Sequence, residues 1–233
     1  IRMSYSQTEI VNHVDELKHD IARECLRMVG ITGGIEITSI ADIPSGTGLG
    51  SSSSFTVGLL NALYTYVGER LSSEELAKRA CQIEIDVLGH PIGKQDQYAY
   101  GGINYFTFER NGEVRREKII VSNNDLRNMN RKLMMFYTGV RRSADGILSR
   151  QSKDTKNKME VLTFMRDQAN QMKSYLTTKG FDSEFAAMLN TAWAKKKSVT
   201  SGISNPQIDE LYQKALNSGA WCWRGRIYTP VLR

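Results

Sequence analysis

Three glycines at alternate positions, Gly46, Gly48 and Gly50, run directly into four serines in Asp42-Ile43-Pro44-Ser45-Gly46-Thr47-Gly48-Leu49-Gly50-Ser51-Ser52-Ser53-Ser54. The glycines remove the Cβ atoms that would hold an anionic group away from the backbone. The serines place hydroxyls where a helix starting there leaves its first N–H groups unpaired, and such a terminus favours phosphate. Two acids follow. Glu84 interrupts an otherwise apolar helical stripe of Ala77, Cys81 and Leu88. An acid facing inward costs free energy unless it meets a cation, a metal or a hydrogen-bond donor. Asp96 stands twelve positions further on, in a loop that Pro91 and Gly93 keep from continuing the helix. A capped turn at the glycines, a structural ion pair at Glu84 and a turn-forming aspartate at 96 are the plainer alternatives. Four serines are more hydroxyls than capping needs.

These groups must be positioned by the elements around them. Gly34 to Ile40 reads as a strand and Phe55 to Val67 as a buried helix, so the glycines form a strand–loop–helix junction. Upstream, Ile1 to Ser6 alternates like a strand. Thr8 to Val29 carries helical spacing through Ile10, Val14, Leu17, Ile21, Cys25 and Met28. Ser72 and Glu75 have the spacing of a capping box, opening a helix from about Glu74 to Leu88 with Leu76, Ala80, Ile83 and Val87 on its buried stripe. A helical turn is expected at Asp96. Ile103 to Phe108 and Val114 to Val121 read as a hairpin about Asn111-Gly112. The polar stretch Ser122 to Asn130 is the expected domain boundary, and Lys132 to Thr138 the next strand. Helices are expected over 143–151, 157–177, 183–197 and 206–217, the last opened by Asn205-Pro206.

With 233 residues, 40% hydrophobic and 24% charged, the chain can bury a sizeable core. No apolar run is long enough for a membrane span and no secretory leader is visible, so no membrane partner is expected. Cys25, Cys81 and Cys222 cannot all pair and have no CxxC spacing, which points to a reduced, cytoplasmic setting. His13, His19 and His90 do not cluster with them, which argues against zinc. The net charge of +6 suits an anionic partner, yet the basic residues are scattered outside Lys195-Lys196-Lys197, so nucleic acid is not expected. The loop is neither of the common nucleotide fingerprints. No Gly-Lys-Ser/Thr closes it, and its glycines are out of register for GxGxxG.

The stretch Pro44 to Ser54 resembles the phosphate-binding motif of the GHMP small-molecule kinases, P-x-x-x-G-L-G-S-S-A-A, with serine for alanine at 53 and 54. Glu84 and Asp96 have the spacing of the metal-binding glutamate and catalytic aspartate of galactokinase-type members. Ile92-Gly93-Lys94-Gln95-Asp96-Gln97-Tyr98 and Phe136 to Ala144 are similar to the bacterial heptose-phosphate kinases of this superfamily. The resemblance implies an α/β (α+β) two-domain fold, with an incomplete N-terminal domain like domain 2 of ribosomal protein S5 and a ferredoxin-like α+β C-terminal domain. It implies phosphorylation of a sugar hydroxyl by ATP with Mg²⁺. Pro44, Gly46, Gly48, Leu49, Gly50, Ser51, Ser52 and Ser53 would bind the nucleotide, Ser52 and Glu84 the metal, and Asp96 would orient or deprotonate the acceptor. Gln97, Tyr98, Arg141 and Arg142 are candidate substrate contacts, although the two arginines are equally explained as surface residues.

The favoured reaction under this resemblance is phosphorylation of the anomeric hydroxyl of D-glycero-D-manno-heptose 7-phosphate. Galactose, fucose or another sugar is the runner-up, and a catalytically dead remnant that at most binds nucleotide is the alternative from another class. The family's first motif has no counterpart before Ile1, and its C-terminal glycine-rich motif is not visible. The expected organisation is therefore a partial N-terminal domain over 1–124, a partial C-terminal domain over 125–220, and an aberrant tail over 221–233. If the arginines of that tail use CGN codons, its back-translation shifted by one nucleotide is compatible with a glycine-rich run. The sequence leaves the oligomeric state open.

Overall fold

The computed structural model describes residues 1–42, 49–138 and 158–220. They fall into two compact units, Ile1–Tyr100 and Gly101–Arg233. The hairpin therefore lies in the second unit, and the division comes ahead of the polar stretch expected to mark it. That stretch is itself a helix, because Ser122 accepts a hydrogen bond from the Asp125 backbone N–H at 3.0 Å and so caps it. The expected helix over 143–151 and the tail over 221–233 lie outside the described residues.

In the first unit β1 (Arg2–Ser4) is the centre of a three-stranded sheet in the order β2, β1, β3. It pairs antiparallel with β2 (Thr8–Ile10), Met3 opposite Glu9, and parallel with β3 (Glu36–Thr38), Met3 opposite Ile37. Helical spacing had suggested that residues 8–29 form one helix. Instead, β2 is followed by a short 3₁₀ turn at Val14–Glu16 and then by α1 (Asp20–Val29). The physical reason is a competing set of hydrogen bonds. The Glu9 carboxylate accepts from the backbone N–H groups of Lys18 and His19, and His19 caps α1 through Ala22, so a helix is started afresh there. Val14 and Leu17 are buried from the turn all the same, while Ile10 is exposed.

α2 (Ser51–Tyr66) buries Leu59, Leu60, Leu63 and Tyr64 against α1 and α3 (Ser73–Cys81), in a core that includes Met3, Ile21, Cys25, Leu26 and Ile83. Ser72 caps α3 by accepting from the Glu75 N–H at 3.1 Å, as the capping-box spacing predicts. Beyond Cys81 the helix widens into a π-helical turn, Gln82–Val87. The Leu88 N–H accordingly bonds to the Ile83 carbonyl, five residues back, at 2.9 Å. A wider turn changes which residues share a face. Val87, expected on the buried stripe with Ile83, is 54% exposed, and Leu88 packs against the core in its place. α4 (Gln95–Tyr98) is a single turn that packs on α2 and α3.

The second unit opens with a hairpin of β4 (Asn104–Phe108) and β5 (Val114–Lys118), paired from Asn104 opposite Lys118 to Phe108 opposite Val114. α5 (Asn123–Lys132) follows. α6 (Met159–Thr178) and α7 (Ser183–Lys197) pack on each other through Met172, Leu176, Phe185 and Leu189, with Ile103, Ile119 and Val121 against them. α8 (Pro206–Asn217) is capped by Asn205, whose Oδ1 accepts from the Ile208 N–H at 2.9 Å. The expected strand at Lys132–Thr138 has no strand partner among the described residues.

Candidate functional site

The first turn of α2 is built as the glycine–serine junction requires. Gly50 is its N-cap residue and takes φ +73°, a left-handed conformation that side chains disfavour, and among the described residues no side chain caps the helix. Its first turn also carries no acidic residue, whereas Asp20, Glu74 and Glu75 occupy the first turns of α1 and α3. The helix terminus thus keeps N–H groups and positive end charge for an anion. Leu49, Gly50 and Ser51, expected to bind the nucleotide, stand at this turn. Pro44, Gly46 and Gly48 lie outside the described residues, as do Arg141 and Arg142.

Helical phase then separates the serines. Ser53 shares a face with Thr56, Leu60 and Leu63 and is buried, while Ser52 and Ser54 are exposed. Ser53 Oγ donates to Glu84 Oε1 at 3.4 Å. Gln97 Nε2 donates to Glu84 Oε2 at 2.7 Å and to Ser53 Oγ at 3.0 Å, closing a triangle of three buried polar side chains from α2, the π-helical turn and α4. Glu84 is 0% exposed and Gln97 2% exposed. The Glu84 carbonyl also accepts from the His90 N–H at 2.9 Å, so the loop leading to Asp96 is tied to the same residue. The donors that an inward-facing acid demands are therefore Ser53 and Gln97.

Asp96 is half-buried in the first turn of α4, immediately before Gln97. Gln97 and Tyr98, expected among the substrate contacts, both point into the protein. The amide of Gln97 is committed to Glu84 and Ser53, and Tyr98 is buried. Burial pushes the Tyr98 hydroxyl up to about 12, so it stays protonated. Burial, with the Glu84 carboxylate nearby, likewise raises the thiols of Cys25 and Cys81, the latter to about 12 although Lys94 pulls it down. Neither is a nucleophile at neutral pH.

The oxygen donors here suit Mg²⁺, which is commonly bound by one or two carboxylates with phosphate and water completing its shell. Among the described residues no group of three or more His, Cys, Asp or Glu side chains could hold a metal. Nucleotide phosphate is the kind of further ligand that would suit an ion at Glu84. Ser53 is the serine placed on Glu84. Ser52, expected as the second metal ligand, is exposed one position away on the same turn. The sequence offered a signal for Ser53, since positions 53, 56, 60 and 63 repeat at helical spacing. For Gln97 it offered only the resemblance, which suggested a substrate contact and not a partner for Glu84.

Residues 12–102 match the GHMP kinases N terminal domain, a span that takes in the glycine–serine turn, Glu84 and Asp96 and ends next to the division between the units. Over these residues the chain carries a GHMP kinase N-terminal domain. It is 31% identical over 186 residues to the D-glycero-alpha-D-manno-heptose 7-phosphate kinase of Campylobacter jejuni, covering 78% of this chain and 54% of that one. It is 27% identical over 191 residues to the L-fucokinase/L-fucose-1-P guanylyltransferase of Bacteroides fragilis, covering 76% of this chain and 19% of that one. The chain thus spans about half of the first relative and a smaller share of the second. A solved D-glycero-D-manno-heptose 1-phosphate kinase from Bacteroides thetaiotaomicron superposes with a TM-score of 0.70 over 93% of this chain and 76% of its own, at 23% identity. That likeness confirms the mixed helix-and-strand fold of the GHMP kinases. Among the described residues no helix is long and apolar enough to cross a membrane.

Proposed function

We propose that this GHMP kinase chain transfers the γ-phosphoryl group of ATP to the anomeric hydroxyl of a sugar phosphate, D-glycero-D-manno-heptose 7-phosphate being the favoured acceptor. The observation that carries this reading is the triangle of Ser53, Glu84 and Gln97 beside the acid-free first turn of α2, which no described side chain caps, with Asp96 next in sequence to Gln97. The heptose acceptor draws its support from the name of the Campylobacter relative.

In this mechanism the backbone N–H groups at the start of α2, from Gly50 to Ser53, hold the nucleotide phosphates. Glu84, with Ser53 or Ser52, would hold Mg²⁺, which would supply charge neutralisation on the transferring group. Asp96 accepts a hydrogen bond from the acceptor hydroxyl, aligns it, and takes its proton late, because a carboxylate is a weak base for an alcohol. Arg141 and Arg142 are proposed to meet the phosphate already on the sugar.

An ADP-release assay over heptose 7-phosphate, other sugar phosphates, galactose and fucose tests the reading. Turnover is expected on a sugar phosphate, and Asp96→Ala should lower it by about 10²–10⁴-fold while MgATP binding, followed by calorimetry, persists. L-Fucose is in the panel because the Bacteroides fragilis relative bears that name. Nucleotide binding with no turnover on any acceptor would replace the kinase with a nucleotide-binding remnant.

A further inference from the structure

We propose that Gln97 is a positioning residue for a divalent cation: it anchors one oxygen of Glu84 and thereby leaves the other to face the ion. This inference rests on the kinase reading of the site.

The two carboxylate oxygens of Glu84 are held unequally. Oε2 receives the Gln97 amide at 2.7 Å, the length of a strong charge-assisted bond. Among the described residues Oε1 has only the Ser53 hydroxyl, at 3.4 Å, near the limit of hydrogen bonding. A hydroxyl can rotate its proton away and turn a lone pair to a cation, whereas an amide N–H₂ cannot. Oε1 is therefore the oxygen given up to an ion at least cost, and Oε2 the fixed pivot.

A second observation concerns the other end of the same side chain. Gln97 is buried, yet its Oε1 has no partner among the described residues. The side chain is thus oriented by what its nitrogen does for Glu84 and Ser53, since the reverse orientation would set its oxygen against the carboxylate. Because Asp96 precedes it in a one-turn helix, the amide also links the Glu84 carboxylate to the turn that carries the proposed acceptor-orienting acid. Ser53 adds a contact that alanine, the residue of the resembled motif at this position, cannot make.

The test uses the full chain with Mn²⁺ as the probe, its affinity read from the spin-resonance signal of the free ion in the presence of ADP. Gln97→Met fills similar space without the donors and is expected to weaken Mn²⁺ by at least about tenfold. Metal-free ADP should bind within twofold of wild type. Mn²⁺ affinity within twofold of wild type overturns the proposal, and so does an ADP affinity that falls in step with the metal, which marks a general disturbance of the site. Should circular dichroism show Gln97→Met unfolded, Gln97→Asn takes its place. Its amide falls one methylene short of Oε2, and the same loss is expected.

Turnover separates this inference from the reading beneath it. A wild-type chain that binds Mn²⁺ in a Gln97-dependent way but phosphorylates no acceptor leaves the positioning role standing and removes the kinase. A wild-type chain that does not bind Mn²⁺ with ADP overturns both.

Discussion

Removing the carboxylate of Glu84 would strand two donors at once. Ser53 and Gln97 both direct hydrogen bonds at it from buried positions, and a buried polar group left unpaired costs about 1–3 kcal/mol. Glu84→Ala is therefore expected to destabilise the protein by roughly 2–3 kcal/mol, a fall in thermal midpoint on the order of 10 °C for a unit of this size. Glu84→Gln keeps the shape and one acceptor and should lose about half as much. Calorimetry on the two variants decides the matter, and an alanine variant as stable as wild type would mean that the triangle contributes nothing to the fold. The thiols nearby give an independent check on how closed this region is. With its thiol pushed up to about 12, only about one part in 10⁴ of Cys81 is thiolate at pH 8. Peptide mapping after brief alkylation should find Cys25 and Cys81 unlabelled in the folded chain and fully labelled in denaturant. Glu84 was legible from sequence because one acid among Ala77, Cys81 and Leu88 has no plain reason to be there. The serine that meets it was legible only from helical phase, because positions 53, 56, 60 and 63 share a face and turn Ser53 inward, whereas the motif's resemblance points to Ser52. Gln97 had no periodic signal, because a four-residue helix is too short to show a period.

The helix that carries Glu84 is anchored at one end by a cap and altered at the other by a change of pitch. Ser72 accepts from the Glu75 N–H, and the acidic residues Glu74 and Glu75 stand in the positive first turn. Ser72→Ala is expected to cost about 1 kcal/mol, lowering the thermal midpoint by roughly 4–8 °C. Because the cap lies at the end of the helix away from Glu84, Mn²⁺ affinity with ADP should not change. A metal affinity that fell with the cap would mean that the start of α3 governs the site. The cap was legible because serine and glutamate at that spacing have one local geometry in which both serve a helix start. The π-helical turn was not, because a 3.6-residue period drawn through Leu76, Ala80 and Ile83 extends to Val87 with no break in composition. The Leu88-to-Ile83 bond marks the change of pitch, which turns Val87 outward and keeps Leu88, on the stripe of Glu84, against the core. A similar ambiguity misled the reading of 8–29. Val14 and Leu17 are buried at helical spacing, but from a turn, and the Glu9 carboxylate that reorganises this stretch acts across a distance that no periodicity records.

At the scale of the molecule, the chain is a unit matched over residues 12–102 by the GHMP kinase N-terminal domain, followed by a second unit whose described part is a hairpin and four helices. Neither the boundary between them nor the environment of residues 133–137 follows from local pattern. Lys132 to Thr138 reads as a strand because it is apolar and has strand-forming residues, but a strand exists only where a neighbour satisfies its backbone. Here Leu133, Met134, Met135, Phe136 and Tyr137 are 52%, 77%, 74%, 75% and 60% exposed, with no strand beside them among the described residues. Five consecutive exposed apolar residues, uncharged and without proline, form the kind of segment through which chains associate edge to edge. The net charge of +6 opposes association between copies, but its repulsion is screened within about 8 Å at physiological salt, too short a reach to protect an exposed apolar run on contact. The chain is therefore expected to self-associate as its concentration rises, and more so in high salt. Replacing Met134 and Phe136 with lysine places two like charges within the segment and touches no residue of the Ser53–Glu84–Gln97 triangle. Light scattering across a concentration series should show the wild-type mass climbing and the double variant's holding at that of a monomer, with Mn²⁺ affinity equal in both. A wild-type mass that stays constant with concentration and salt would mean that this segment is masked in solution, and a double variant that still associates would place the contact elsewhere on the chain.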